Sequence, residues 1–206
     1  MPVTINGDGS ITGLSAGGLP AGSVTDATIA GMAASKLSGA LPAISGASLT
    51  GLSSGLSMVD QWRITSSFDA SHSAYITSNW ARVNSDGFGQ LGTGMTESSG
   101  EFTFPSTGIY LIDFRSRGSA GGVRQYAGIK IYTTVDNSSY SEASNSYDSV
   151  SSTNYYFAVA CQHIFDVTST STHKCKFQEE SNDTSSFHGD AGYTNTGVTF
   201  IRLGDT

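Results

Sequence analysis

Every aromatic residue of this chain, both Trp, all nine Tyr and all ten Phe, lies beyond Gln61. Before that point the only charges are Asp8, Asp26, Lys36 and Asp60, in a background of Gly, Ser and Ala. A segment of that composition cannot by itself bury enough apolar area to offset roughly 1–2 kcal/mol of backbone entropy per ordered residue. The chain is therefore expected to divide into an extended arm, residues 1–58, and one packed domain, residues 59–206.

The packed part is organised around Gly100 to Arg117, GEFTFPSTGIYLIDFRSR. Tyr110, Ile112 and Phe114 alternate with Asp113, Arg115 and Arg117, the period of a strand with one dry and one wet face. Glu101 to Phe104 forms a shorter strand, closed by Pro105, Ser106, Thr107 and Gly108, so the two pieces are expected to meet at a corner. Further strands are predicted at Trp62–Thr65, Trp80–Asn84, Tyr126–Val135, Tyr155–Val167, His173–Glu179 and Val198–Leu203. Tyr155, Phe157, Val159, Cys161, Phe165 and Val167 share one face of the longest, interrupted by His163, and Ile129 and Ile131 flank Lys130. About eight strands without a helix is the count of an all-β jelly-roll sandwich.

A short Phe-rich strand, a Pro, a Gly and then Tyr with alternating apolar residues resembles the signature of the complement globular-head and tumour-necrosis-factor superfamily. The closing TGVTFIRLGDT is similar to that family's last strand. The resemblance implies a trimeric jelly roll whose last strand runs through the middle of the trimer-facing sheet. Outward-facing Tyr126, Tyr132 and Tyr156 are the expected interface residues of the homotrimer.

The arm carries regular apolar pegs. Leu14, Leu19, Val24, Ile29, Met32, Leu37, Leu41, Ile44, Leu49, Leu52 and Leu56 recur every three to five residues, which implies a matching surface, either sister chains wound about one axis or a larger host structure. A short helix is predicted over Asp26–Leu37, with an acidic N-cap and Gly39 after its end. The phrases INGDGSITGL, GSVTDATIAGMAASKL and LPAISGASLTGL resemble N-terminal segments of tail fibres and related virion appendages of tailed bacteriophages. That resemblance implies a virion location, with Ile5, Ile11, Leu14, Leu19, Ile29 and Leu37 as anchoring residues against other virion structural proteins.

Composition narrows the partners. A net charge of −7 argues against binding phosphate backbones, so nucleic acid is not expected. Only 13% of residues are charged while 34 are Ser and 22 Thr, a hydroxyl- and amide-rich surface suited to a particle or adhesin. No apolar run reaches the roughly 18–20 residues that span a bilayer, and the start lacks the basic and apolar stretches of a secretory signal, so membrane insertion is not expected.

Patterns that imitate active sites read as ordinary structure. Gly87, Gly89 and Gly92 fit a dinucleotide loop, but a strand rather than a helix follows. Gly13-Ser15-Gly17 and Gly51-Ser53-Gly55 fit a nucleophile elbow only within low-complexity sequence. His72, His163, His173 and His188 have no metal-ligand spacing, and His163 is expected to be a hydrogen-bonded core residue. Asn6, Asp8 and Ser10 lack the acid that closes a calcium loop. Asn137 and Asn182 begin sequons in form only. Cys161 and Cys175, on neighbouring predicted strands, either bridge or, as favoured here, remain free buried thiols. No cofactor or metal is expected.

Glycoside hydrolysis needs two carboxylates across a sugar-binding cleft, and the acids are scattered without an evident aromatic platform. The expectation is thus a non-enzymatic virion protein, a trimeric fibre or knob that binds host surface polysaccharide or protein. The alternatives are a capsid decoration protein and, less favoured, a tail-spike depolymerase. The candidate receptor-contact loop is Asp136–Asn154, rich in hydroxyls around Tyr140 and Tyr147, with Asn145 and Asp148 beside them; the alternative, favoured slightly, is a solvated loop without a partner that keeps a particle soluble.

Overall fold

In the computed structural model of the protein, the described residues are 4–5, 7, 11–12, 55–85 and 87–206. The chain splits into two units, Met1–Thr50 and Gly51–Thr206. In the first, β1 (Thr4–Ile5) pairs antiparallel with β2 (Ile11–Thr12), setting the backbones of Ile5 and Ile11 opposite one another. The predicted helix and the anchoring residues Leu14, Leu19, Ile29 and Leu37 lie outside the described residues.

The second unit is all-β among its described residues, with β3 (Met58–Ile64), β4 (Ser66–Tyr75), β5 (Trp80–Arg82), β6 (Thr96–Ser98), β7 (Glu101–Thr103), β8 (Gly108–Ala120), β9 (Arg124–Thr134), β10 (Ser141–Val150), β11 (Tyr155–Val167), β12 (Lys174–Asp190) and β13 (Gly197–Gly204). Two layers form. One runs β5-β3-β13-β8-β11; the other is built on β12, flanked by β9 and β10 on one side and by β7 and β4 on the other. They join where the C-terminal half of β12, at Ser185–Phe187, pairs with β8 at Gly118–Ala120. β13 lies between β8 and β3, in the middle of its layer.

The alternation of β8 dictates its packing. Tyr110, Ile112 and Phe114 are fully buried while Leu111, Asp113 and Arg115 face outward. Phe114 meets Phe177 of β12 at 4.5 Å between ring centroids, and Phe102 meets Phe177 and Phe200 at 5.4 Å each. Such pairs add about 0.5–1.5 kcal/mol each beyond the area they bury, so the aromatics absent from the arm clamp the two layers together.

The corner before β8 is tied by the same residue that opens the apolar face. Tyr110 donates its hydroxyl to Ser106 O at 3.0 Å. Gly108 adopts φ 142°, where a Cβ would stand 2.6 Å from Gly204 O, so the turn needs glycine.

Asp60 is a second organising point. It is fully buried on β3 and receives Arg82 Nε at 2.9 Å and Arg82 Nη2 at 3.1 Å, Trp62 Nε1 at 2.9 Å and Met95 N at 2.7 Å. These donors satisfy a carboxylate that burial would otherwise penalise heavily.

Several expectations are corrected. The stretch Asp136–Asn154 is not a long loop: Asp136 Oδ1 accepts Ser138 N at 2.9 Å and Ser139 N at 2.8 Å, closing a tight hairpin into β10, which pairs with β9 along its length. Tyr155 is exposed at the end of its strand, although Phe157, Val159, Cys161, Phe165 and Val167 are buried as expected. His163 is half-buried with its ring 6.0 Å from Phe165; burial holds its pKa below the usual imidazole value, and it packs as a ring. Cys161 and Cys175 are both free and buried, as favoured from the sequence. Their strands are not paired, since β11 pairs with β8 and β12 with β9, β7, β4 and β8. The glycines at 87, 89 and 92 lie in a loop that leads to β6, with Gly87 and Gly92 at positive φ.

Candidate functional site

Strand register sorts the exposed residues of the jelly roll onto two outward faces. On the β3-β13-β8-β11 layer, Ile164, Leu111, Ile201 and Val59 stand in register across four strands, and Leu91 extends the row through its bridge to Val59. Ile164 is 54% exposed. One row away the surface turns polar: Gln162 donates to Asp113 at 3.2 Å, and Gln61 to Thr199 at 3.0 Å. An apolar band bordered on one side by a hydrogen-bonded polar row is a candidate for a covered face.

The opposite layer presents tyrosines and charges. Tyr147 of β10, Gly128 of β9, Glu180 of β12 and Ser73 of β4 share one row, and Tyr147 donates its hydroxyl to Glu180 Oε2 at 2.6 Å while Ser73 donates to Oε1 at 2.9 Å. In the next row Lys130 bridges Glu180 at 2.8 Å and Glu142 at 3.1 Å. Burial would lower the pKa of this lysine, but its bonds to Glu180 and Glu142 outweigh that and raise it, so it stays charged. Burial also raises Glu180, yet Lys130, Tyr147 and Ser73 together hold it below the usual carboxylate value. Glu142 is lowered by Asn145 and Lys130. Burial, then the bond to Glu180, pushes the Tyr147 phenol up to about 12.

Tyr126 stands edge-to-face against Tyr147, with centroids 5.7 Å apart and planes at 86°. These two rings and Glu180 line an open depression of about 360 Å³. Beyond the lysine, Lys176 sits between the rings of Tyr75 at 3.9 Å and Tyr140 at 3.8 Å, while Tyr140 donates to Glu101 Oε2 at 2.5 Å and Lys174 pairs with Glu101.

The four expected contact residues are thus only partly gathered. Tyr147 lines the depression, and Asn145 stands one row away, opposite Lys130, donating to Glu142 at 2.6 Å. Tyr140 belongs to the neighbouring Lys176–Glu101 cluster. Asp148 pairs with core-facing Ala127, on the other side of the strand from Tyr147. Tyr126, Tyr132 and Tyr156 do not form one patch: the first two are on β9, whereas Tyr156 is on β11, beneath Arg117 at 4.3 Å. Gly128, Lys130, Glu142 and Glu180 escaped sequence reasoning, and an aromatic platform exists where none was evident, because cross-strand register alone assembles it. Among the described residues no cluster of three metal-ligating side chains gathers.

A scan against protein-family models finds no match, and no curated protein matches the sequence. Solved structures do match in shape. The chain superposes on a crystal structure of murine APRIL at pH 5.0 with a TM-score of 0.53 and 14% identity, over 71% of this chain and 98% of that one. It superposes on Eiger TNF from S. frugiperda with a TM-score of 0.58 and 11% identity, over 74% of this chain and 96% of that one. The likeness is one of fold: the described C-terminal unit is a jelly roll of the tumour-necrosis-factor type.

Proposed function

We propose that this chain is a non-enzymatic structural protein of a tailed-phage virion, a homotrimeric knob mounted through its N-terminal arm and presented to the host surface. The observation that carries the reading is the apolar band Ile164–Leu111–Ile201–Val59, on the layer whose middle strand is β13. Covering that band with two further copies removes it from water, and closed cyclic symmetry is the ordinary way for identical chains to do so. Jelly-roll neighbours support the knob, and the wording of residues 5–52 supports the mounting arm. A depolymerase is disfavoured at the depression that sets Glu180 against Tyr126 and Tyr147. Glu142 and Glu180 both have lowered pKa values, and a glycosidase needs one carboxyl held protonated as the acid.

The test is location and competition. Gold-labelled antibody against the chain is expected to decorate the tail tip of virions, and purified protein is expected to compete with particle adsorption to host cells. Labelling confined to the head, with no competition, would replace attachment by capsid decoration. Absence of the chain from particles would end the virion reading.

A further inference from the structure

The depression across β10, β9 and β12 owes its form to a missing side chain. Gly128 lies in register between Tyr147 and Glu180, and a Cβ there would stand 2.3 Å from Tyr147 Cδ1. Only glycine lets the Tyr147 ring lie down across β9 and reach the carboxylate of Glu180. The hydrogen bond at 2.6 Å then pins the ring, so little rotamer freedom is left to lose when a ligand stacks on it. Tyr126, at 86° to it, supplies a wall. The volume of about 360 Å³ is at the small end of the roughly 300–1,000 Å³ typical of small-molecule sites.

Polar groups stand around this aromatic floor in alternation: the carboxylates of Glu180 and Glu142, the ammonium of Lys130 between them, and the amide of Asn145. An ionised carboxylate has about four lone-pair directions, so Glu180 retains capacity to accept a hydroxyl beyond the bonds it already makes. The local charge of two acids and one lysine is negative, as is the whole chain at −7, which repels anionic ligands. A free cation would have to compete with Lys130, which already bridges both carboxylates at 2.8 and 3.1 Å. What remains is a neutral, flat-faced, hydroxyl-rich molecule.

We infer that the Tyr126–Tyr147–Glu180 depression binds a neutral pyranose, its C–H face on the Tyr147 ring and its hydroxyls on Glu180, Lys130 and Asn145. The inference rests on the attachment reading, for which it names the ligand class. One such contact is weak, and a trimer presenting three copies to a polymer gains from multivalency.

The test uses the full-length protein on immobilised neutral oligosaccharides of glucose, mannose and galactose, with polygalacturonate as the anionic comparison and a protein extract of the host envelope as the non-saccharide comparison. Binding to at least one neutral oligosaccharide and not to polygalacturonate is expected. Tyr147→Ala, an exposed position on an edge strand, is expected to weaken it roughly tenfold or more. Tyr156→Ala on the other layer is expected to leave it unchanged. Gly128→Val sets a Cβ 2.3 Å from Tyr147 Cδ1 and 2.4 Å from Ser146 O, so it is expected to weaken binding and to loosen the β9–β10 pairing, and it counts only if melting and oligomeric mass match the parent. Should Gly128→Val fail to fold, Tyr147→Ala alone decides. No binding to any neutral oligosaccharide, binding only to the anionic polymer or only to envelope protein, or neutral binding indifferent to Tyr147→Ala overturns the inference. A chain that competes with particle adsorption yet binds no neutral saccharide refutes the site and leaves the attachment reading standing, because competition is scored separately on the same protein.

Discussion

Glu179 offers the most quantitative test of how the core is built. It faces inward from β12, fully buried, and neither carboxylate oxygen has a hydrogen-bond partner. Burial pushes its pKa well above the ordinary value of 4.5; the hydroxyl of Ser116 pulls the other way, and that hydroxyl is already engaged with Thr196 Oγ1 at 2.9 Å. The folded chain therefore holds a proton that the unfolded chain releases above about pH 4.5. By linkage the folded state binds more protons in that range, so stability falls as pH rises, by about 1.4 kcal/mol per unit while the carboxyl stays protonated. From the unfolded value to pH 7 this amounts to up to about 3 kcal/mol for the one side chain. Glu179→Gln removes the titration and keeps the shape. Denaturant unfolding between pH 5 and 8 is expected to show the variant gaining stability over the parent as pH rises, with the two converging near pH 5. Glu179→Met, which also removes the uncompensated polar atoms, is expected to follow the same trend. Parallel pH profiles for parent and Glu179→Gln would refute a buried, protonated carboxyl at this position.

Asp60→Ala leaves Arg82 and the indole N–H of Trp62 without their shared acceptor, and is expected to cost about 3–5 kcal/mol, read as a fall in thermal midpoint of the knob's unfolding transition. The two cysteines are expected to resist alkylation in the native state at pH 8 and to label fully in denaturant. Burial pushes the Cys161 thiol up to about 12 and raises Cys175 as well, so almost no thiolate is present. Mass spectrometry of the labelled chain counts them, and native labelling at either site would contradict the packing.

The sequence showed the jelly roll wherever burial imposes alternation. The predicted Tyr155–Val167 coincides with β11, and the alternation around Tyr110 and Phe114 places β8, because one face of each is dry. It failed on β4, β10 and the second half of β12. Ser66–Tyr75 is mostly exposed, and Ser141–Val150 buries only Val150 fully, so backbone pairing with β12 and β9 holds these strands in place of an apolar stripe. The candidate site was hidden for a related reason. Tyr126, Gly128, Tyr147 and Glu180 meet only through pairing of three strands, and nothing in the spacing of any one of them announces the others. Parity correctly turned Tyr126, Tyr132 and Tyr156 outward, yet which layer each belonged to is a property of the topology.

The central claim, a knob assembled from three identical chains across the Ile164–Leu111–Ile201–Val59 band, is tested most directly by the mass of the full-length protein in solution. Sedimentation equilibrium at micromolar concentration is expected to give one species of three times the 21.4 kDa chain mass, and Leu111→Lys, which places a charge in the middle of the band, is expected to reduce it to the single-chain mass without unfolding it. A stable species of 21.4 kDa for the parent protein, or a trimer indifferent to Leu111→Lys, would contradict the account.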